Sequence, residues 1–206
     1  NGVRFTYELA DMDYKLPGNR KFAVTYTLTD DNEIRLDYEG DSDKNTVMNL
    51  TNHTYFNLSG HGSGTILNHK LKLNCSNYTP VRAGAIPTGE IASVKGTPFD
   101  FTDWKVIGDE IDVDNEQLKF TGGYDHNFVA DNCDGSVREI AKAKSDVTGI
   151  EMTVLSDLPG VQFYAGNSIV NEKGKDGAVY TKRTGFCLET QYYPDSIHHE
   201  NFPSII

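Results

Sequence analysis

Large apolar residues at every second position constrain this chain more than any other feature. In Phe22–Thr29 (FAVTYTLT), Phe22, Val24, Tyr26 and Leu28 alternate with smaller or polar residues. This is the period-two pattern of a strand with one buried face. Asp30-Asp31-Asn32 supplies turn chemistry, and Glu33–Tyr38 returns with Ile34, Leu36 and Tyr38 on one face, which predicts a hairpin. Further strands are expected over Val3–Leu9, Thr46–Leu50, His53–Leu58, Ile66–Leu73, Val137–Ala143, Ile150–Ser156, Val161–Ala165 and Phe186–Gln191. Helical periodicity is confined to a short turn at Trp104–Ile111, after Asp103 as N-cap. Many short strands with regular turn punctuation predict an all-β, antiparallel sandwich or related architecture.

At 206 residues, 37% of them hydrophobic, the chain fits a single domain spanning 1–206. No run approaches the ~20 apolar residues of a membrane helix. A net charge of −11 disfavours nucleic acid and anionic membranes as partners through phosphate repulsion, and leaves neutral sugars unaffected. Cys75, Cys133 and Cys187 are odd in number and form no C-x-x-C pair. Free thiols in a reducing compartment are expected, hence a cytoplasmic protein. The sequons at Asn49, Asn52, Asn57, Asn74 and Asn77 are read as incidental. His61, His69, His198 and His199 have no carboxylate at a recognised ligand spacing, so surface histidines and no metal site are expected. The acidic runs Asp112–Glu116 and Asp131–Gly135 lack the complete calcium-loop pattern and are expected to be loops. The chain begins at Asn1 and ends on the apolar tail Phe202–Ile206. It is expected to be an internal piece of a longer protein, incomplete at both ends.

Two positions stand out chemically. Strand alternation would put His53, Tyr55 and Asn57 on one face, a poor core but a good surface for hydroxyl groups. On this pattern alone His53 is as readily a structural histidine as a functional one. Glu189 shares a strand face with Cys187 and Gln191, among apolar neighbours. A carboxylate there is either paired, with Arg183 or Lys182, or functional, and burial would raise its pKa and improve it as a base. Asp125, after Gly-Gly-Tyr, reads by itself as a loop cap.

Four motifs, NLTNHTYFNLSG (Asn49–Gly60), GGYDHNF (Gly122–Phe128), PGVQFYAGN (Pro159–Asn167) and GFCLETQYYPD (Gly185–Asp195), resemble in order and spacing those of the galactose mutarotase (aldose 1-epimerase) family. The resemblance runs from about Phe22 to the last residue. It implies an antiparallel β-supersandwich and the interconversion of α and β anomers of galactose or glucose, without a cofactor. It makes His53 and Glu189 the catalytic pair, on opposite sides of C1–O5: Glu189 as base at the C1 hydroxyl, His53 as acid at the ring oxygen. Asp125 and Gln162 would hold sugar hydroxyls, Tyr55 or Phe163 would lie against the sugar ring, and His126 would point away from the site. The family also uses an Asn-Arg pair and a second histidine from a preceding segment, and this chain has no such stretch. Residues 1–206 alone are therefore expected to be poorly soluble or inactive. Two other readings stay open: a carbohydrate-binding β-sandwich module without turnover, and a hexose-6-phosphate mutarotase. The latter is disfavoured because a phosphate calls for clustered arginines, whereas Arg82, Arg138 and Arg183 are scattered.

Overall fold

The computed structural model describes all of residues 1–206, in two compact units: Asn1–Leu50 with Ser204–Ile206, and Thr51–Pro203. In the first unit, β1 (Gly2–Leu9), β2 (Arg20–Leu28) and β3 (Ile34–Ser42) form a sheet in that order. Its register sets Phe5 opposite Val24 and Tyr7 opposite Phe22, then Tyr26 opposite Leu36 and Leu28 opposite Ile34. The alternation thus gathers its large apolar residues on one face, as the sequence predicts. That face is open rather than buried as the period-two pattern suggests: Val3, Phe5, Tyr7, Leu28 and Ile34 are exposed. The expected turn at residues 30–32 is present, with Asn32 at φ 61°. Arg20 is buried and donates to the carbonyls of Gly18 and Asp13 at 3.2 and 2.7 Å, fastening the β1–β2 connection.

The second unit carries, in chain order, β4 (Lys70–Leu73), β5 (Asn77–Tyr78), β6 (Val81–Arg82), β7 (Ile86–Pro87), β8 (Ala92–Ser93), β9 (Lys105–Val106) and the single α-helix α1 (Glu116–Thr121). There follow β10 (Asp125–Val129), β11 (Arg138–Lys144), β12 (Glu151–Ser156), β13 (Gly160–Tyr164), β14 (Glu172–Lys173), β15 (Val179–Tyr180) and β16 (Cys187–Gln191). A five-stranded sheet runs β16-β13-β10-β5-β8 and a four-stranded sheet β12-β11-β4-β9. The strand pairs are antiparallel. Both sheets feed one core, with Phe128, Val161, Phe163 and Leu188 from the first and Leu71, Leu73, Ile140 and Ala143 from the second. A bulge between Glu139 and Ala141 lets the consecutive Ile140 and Ala141 both enter that core. Phe99 sits at its centre, stacked on Tyr78 at 4.5 Å and edge-on to His126 at 4.6 Å.

The structure corrects several local expectations. Trp104–Ile111 is not helical; it contains β9 and turns, because Lys105 and Val106 pair with β4. The helix lies at the end of the acidic run instead. Asn115 Oδ1 accepts from the Gln117 and Leu118 amides at 2.9 and 3.4 Å, Leu118 anchors the helix in the core, and Gly122 closes it at φ 69°. Residues 46–50 and 53–58 form no regular strand; in the latter only Phe56 makes a bridge, to Phe186. Asn57 shows why: its Nδ2 donates to the carbonyls of Gly64 and Thr184 at 3.0 and 3.1 Å, and its Oδ1 accepts from the Ser59 amide at 3.0 Å. Side-chain bonds of this kind replace a ladder. His69 is fully buried rather than on the surface, its Nε2 accepting from the Leu58 amide at 3.0 Å. No helix is long and apolar enough to cross a membrane.

Candidate active site

Strand register builds the site. Asp125 faces Tyr164 and Asn127 faces Gln162 across β10–β13; Gln162 faces Glu189 and Tyr164 faces Cys187 across β13–β16. Directly opposed residues share a sheet face, so Asp125, Asn127, Gln162, Tyr164, Cys187, Glu189 and Gln191 line one side. The other side carries His126, Phe128, Val161, Phe163 and Leu188, and is the buried core. Period-two alternation therefore divides the same three strands into a packing face and a chemical face.

His53 reaches the chemical face from the neighbouring irregular segment. The bridge holds that segment, with Phe56 and Phe186 exchanging amide bonds at 2.8 and 3.0 Å. Thr51 Oγ1 donates to the Thr190 carbonyl at 2.8 Å. His53 Nε2 then lies 3.4 Å from Glu189 Oε1, and its Nδ1 lies 3.3 Å from Cys187 Sγ. The His53 side chain is 53% exposed and that of Glu189 is 11% exposed, so one partner is open and the other enclosed. The rings of Tyr55 and Tyr164 flank the imidazole at 5.0 and 5.9 Å.

The enclosure has electrostatic consequences. Burial raises the pKa of Glu189, the nearby Asp125 carboxylate raises it further, and His53 opposes both. Asp125 is raised too, mainly by burial, against the hydrogen bond from Gln162 Nε2 to its Oδ1 at 2.8 Å. Gln191 Nε2 donates in turn to Gln162 Oε1 at 3.4 Å, which orients that amide. Burial, then Glu189, pushes the Cys187 thiol up, and burial takes the Tyr55 phenol to about 12. The arrangement sets a carboxylate of raised pKa beside an imidazole, with hydrogen-bonding groups adjacent, and two such groups in reach of each other can take and give protons.

The fold brings His53, Glu189, Asp125 and Gln162 together, with Tyr55 beside the imidazole. Phe163 lies in the core and cannot lie against a ligand on this face. Asn57 is a backbone bracket rather than a site neighbour of His53. His126 points away, and burial lowers its pKa to about 3. Glu189 does not pair with Arg183, which forms a bidentate pair with Asp112 at 2.6 Å. Tyr164 escaped the sequence reading, although it stands two positions after Gln162, the spacing that shares a face. A separate cavity of about 480 Å³, lined by Arg82, Pro87, Thr88, Asp195, His198 and His199, contains none of these residues.

The family model for aldose 1-epimerase matches residues 1–206. Galactose mutarotase from Homo sapiens is 40% identical over 209 residues, covering 100% of this chain and 58% of that protein. Aldose 1-epimerase from Escherichia coli is 37% identical over 201 residues, covering 98% of this chain and 58% of that protein. This chain therefore spans less than two thirds of the length of these relatives. Among solved structures, the GalM/aldose epimerase homologue from C. elegans superposes with a TM-score of 0.83 at 28% identity, over 99% of this chain and 60% of that one. Galactose 1-epimerase from Lactobacillus acidophilus gives 0.80 at 31% identity, over 94% of this chain and 54% of that one. Agreement of sequence model, relatives and fold along the whole length leads to one conclusion: this chain belongs to the aldose 1-epimerase family.

Proposed function

We propose that the protein interconverts the α and β anomers of an aldohexose of the galactose and glucose type by general acid–base catalysis. The contact between His53 Nε2 and Glu189 Oε1, at 3.4 Å, carries this reading. O1 and O5 of a pyranose sit on the same carbon, so the groups that exchange protons with them must stand close to each other. Glu189 takes the proton from the C1 hydroxyl while His53 gives one to O5. The C1–O5 bond breaks and the C1–O1 bond becomes a carbonyl. After rotation about C1–C2 the ring closes on the other face of the carbonyl, with the two proton transfers reversed. Protons move and one C–O bond is exchanged, so no redox partner or group carrier enters the balance.

Asp125, with Oδ1 engaged by Gln162, offers its other oxygen to a sugar hydroxyl, and Gln162 is oriented for a second. The Tyr55 ring, half-exposed beside His53, supplies an apolar wall for the sugar. A phosphorylated hexose is the poorer fit: Arg183 is committed to Asp112, and Arg138 to the carbonyls of Asp131, Ser156 and Leu158. Free thiols at Cys75, Cys133 and Cys187 support a reducing, cytoplasmic setting. The test is polarimetry of freshly dissolved α-D-galactose with the native-length protein. Faster approach to the equilibrium rotation is expected. Galactose binding without any acceleration would replace this reading with that of a non-catalytic sugar-binding module.

A further inference from the structure

The fold assembles a ligand set that spacing along the sequence does not show. His53, Cys187 and Glu189 each offer one ligand atom, and these atoms lie within 4.8 Å of one another. In tetrahedral zinc sites, bonds of about 2.0–2.3 Å hold N, S and O ligands about 3.4–3.6 Å apart. Here His53 Nε2 lies 3.4 Å from Glu189 Oε1, and Nδ1 lies 3.3 Å from Cys187 Sγ. The two contacts use opposite ring nitrogens, so coordination requires the imidazole, 53% exposed, to turn one nitrogen toward both partners. Cys187 and Glu189 project from one face of the same strand, so two of the three ligands are already positioned.

We infer that this trio binds a thiophilic divalent cation, with Zn²⁺ as the representative, and that the bound cation blocks the site. Three protein ligands leave a fourth position open on the solvent side, the stoichiometry of zinc sites that retain a water. Binding replaces the S–H bond of Cys187 and the acidic ring N–H of His53 with bonds to the metal and releases both protons, with displaced waters, to solvent. The thiolate and carboxylate then balance the two positive charges, and the adjacent Asp125 adds further negative potential. A thiolate in the set selects against Mg²⁺ and Ca²⁺, which take all-oxygen shells. The blocking effect rests on the proposed anomer exchange: a coordinated Glu189 no longer accepts a proton and a coordinated His53 no longer delivers one. The binding itself does not rest on it.

Chelator-washed native-length protein is titrated with Co²⁺ while the near-ultraviolet sulfur-to-cobalt charge-transfer absorption is followed. An equimolar band is expected, erased by Zn²⁺ and untouched by Mg²⁺. Cys187→Ser should abolish the band, whereas Cys133→Ser, at an exposed thiol, should keep it. Glu189→Gln retains the thiol but should weaken Co²⁺ binding roughly 100-fold, since a direct ligand contributes at least as much as its outer-shell partners. That variant keeps the test decisive if Cys187→Ser does not fold. No band in the parent protein, or an unchanged band in folded Cys187→Ser, overturns the site, as does unchanged affinity in Glu189→Gln. In the polarimetric assay Zn²⁺ should slow the exchange with the midpoint at which it displaces cobalt. A cobalt band in a protein without anomer exchange would uphold the metal site and remove the functional reading; exchange without a band would do the reverse.

Discussion

Replacing Glu189 by Gln separates the proposed base from the fold that holds it. The substitution preserves side-chain shape and removes only the ability to take a proton. General acid–base catalysis contributes about 10²–10⁴ in rate, which at 1.36 kcal/mol per decade is about 2.7–5.4 kcal/mol of barrier. Stability should move little, and in the opposite sense. The polar contact of the carboxylate seen here is the one to His53, at 3.4 Å, and a loose pair with one open partner contributes at most about 1 kcal/mol. Against that stands the cost of ionising a buried carboxyl next to Asp125. Glu189 has its folded-state pKa raised, so the unfolded chain ionises it first. Its contribution to stability is greatest below the ordinary carboxylate range and is lost as pH rises through the raised value. Gln escapes that loss. Polarimetry should show kcat falling by two to four decades with KM changed far less, while urea unfolding near pH 8 shows Glu189→Gln as stable as the parent or more so. Near-parental kcat would remove Glu189 from the chemistry. A loss of activity accompanied by a matching loss of stability at pH 8 would mean that the carboxylate is structural.

His53→Asn should depress kcat by about 10²–10⁴ with KM changed far less; near-parental kcat would require a different acid. Asp125→Asn removes the like charge that helps to raise Glu189. The low-pH limb of kcat/KM, where the base must be ionised, should therefore move to lower pH while KM for galactose rises; a limb that stays put or moves up would refute the coupling. Phe5→Lys places a charge on the apolar face of the β1–β2–β3 sheet, where Phe5 is 57% exposed. It should reduce binding of a hydrophobic dye and reduce light scattering; dye binding equal to that of the parent would show that this face is covered in solution.

Features that depend on neighbours a few residues away are readable along the chain. The hairpin from Phe22 to Tyr38 and the chemical face of β16, with Cys187, Glu189 and Gln191 together, follow from period-two alternation and turn residues, because strand geometry sends alternate side chains to opposite sides. Glu189 stands out as a carboxylate among apolar neighbours, whereas His53 is as readily structural as functional on its own pattern, and only the resemblance of the surrounding motifs to the family makes the two a pair. Tertiary structure decided what depends on groups far apart in the chain. Asn57 abandons the strand its neighbours suggest because the carbonyls of Gly64 and Thr184 are there to accept its amide. His69 is buried because the Leu58 amide meets its ring nitrogen, and Phe163 is lost to the core by the same alternation that presents Gln162 and Tyr164. The contacts of His53 with Cys187 and Glu189 span more than 130 positions. Local propensity carries no information about such a pairing; it is set only when the sheet closes and the Phe56–Phe186 bridge docks the segment against it.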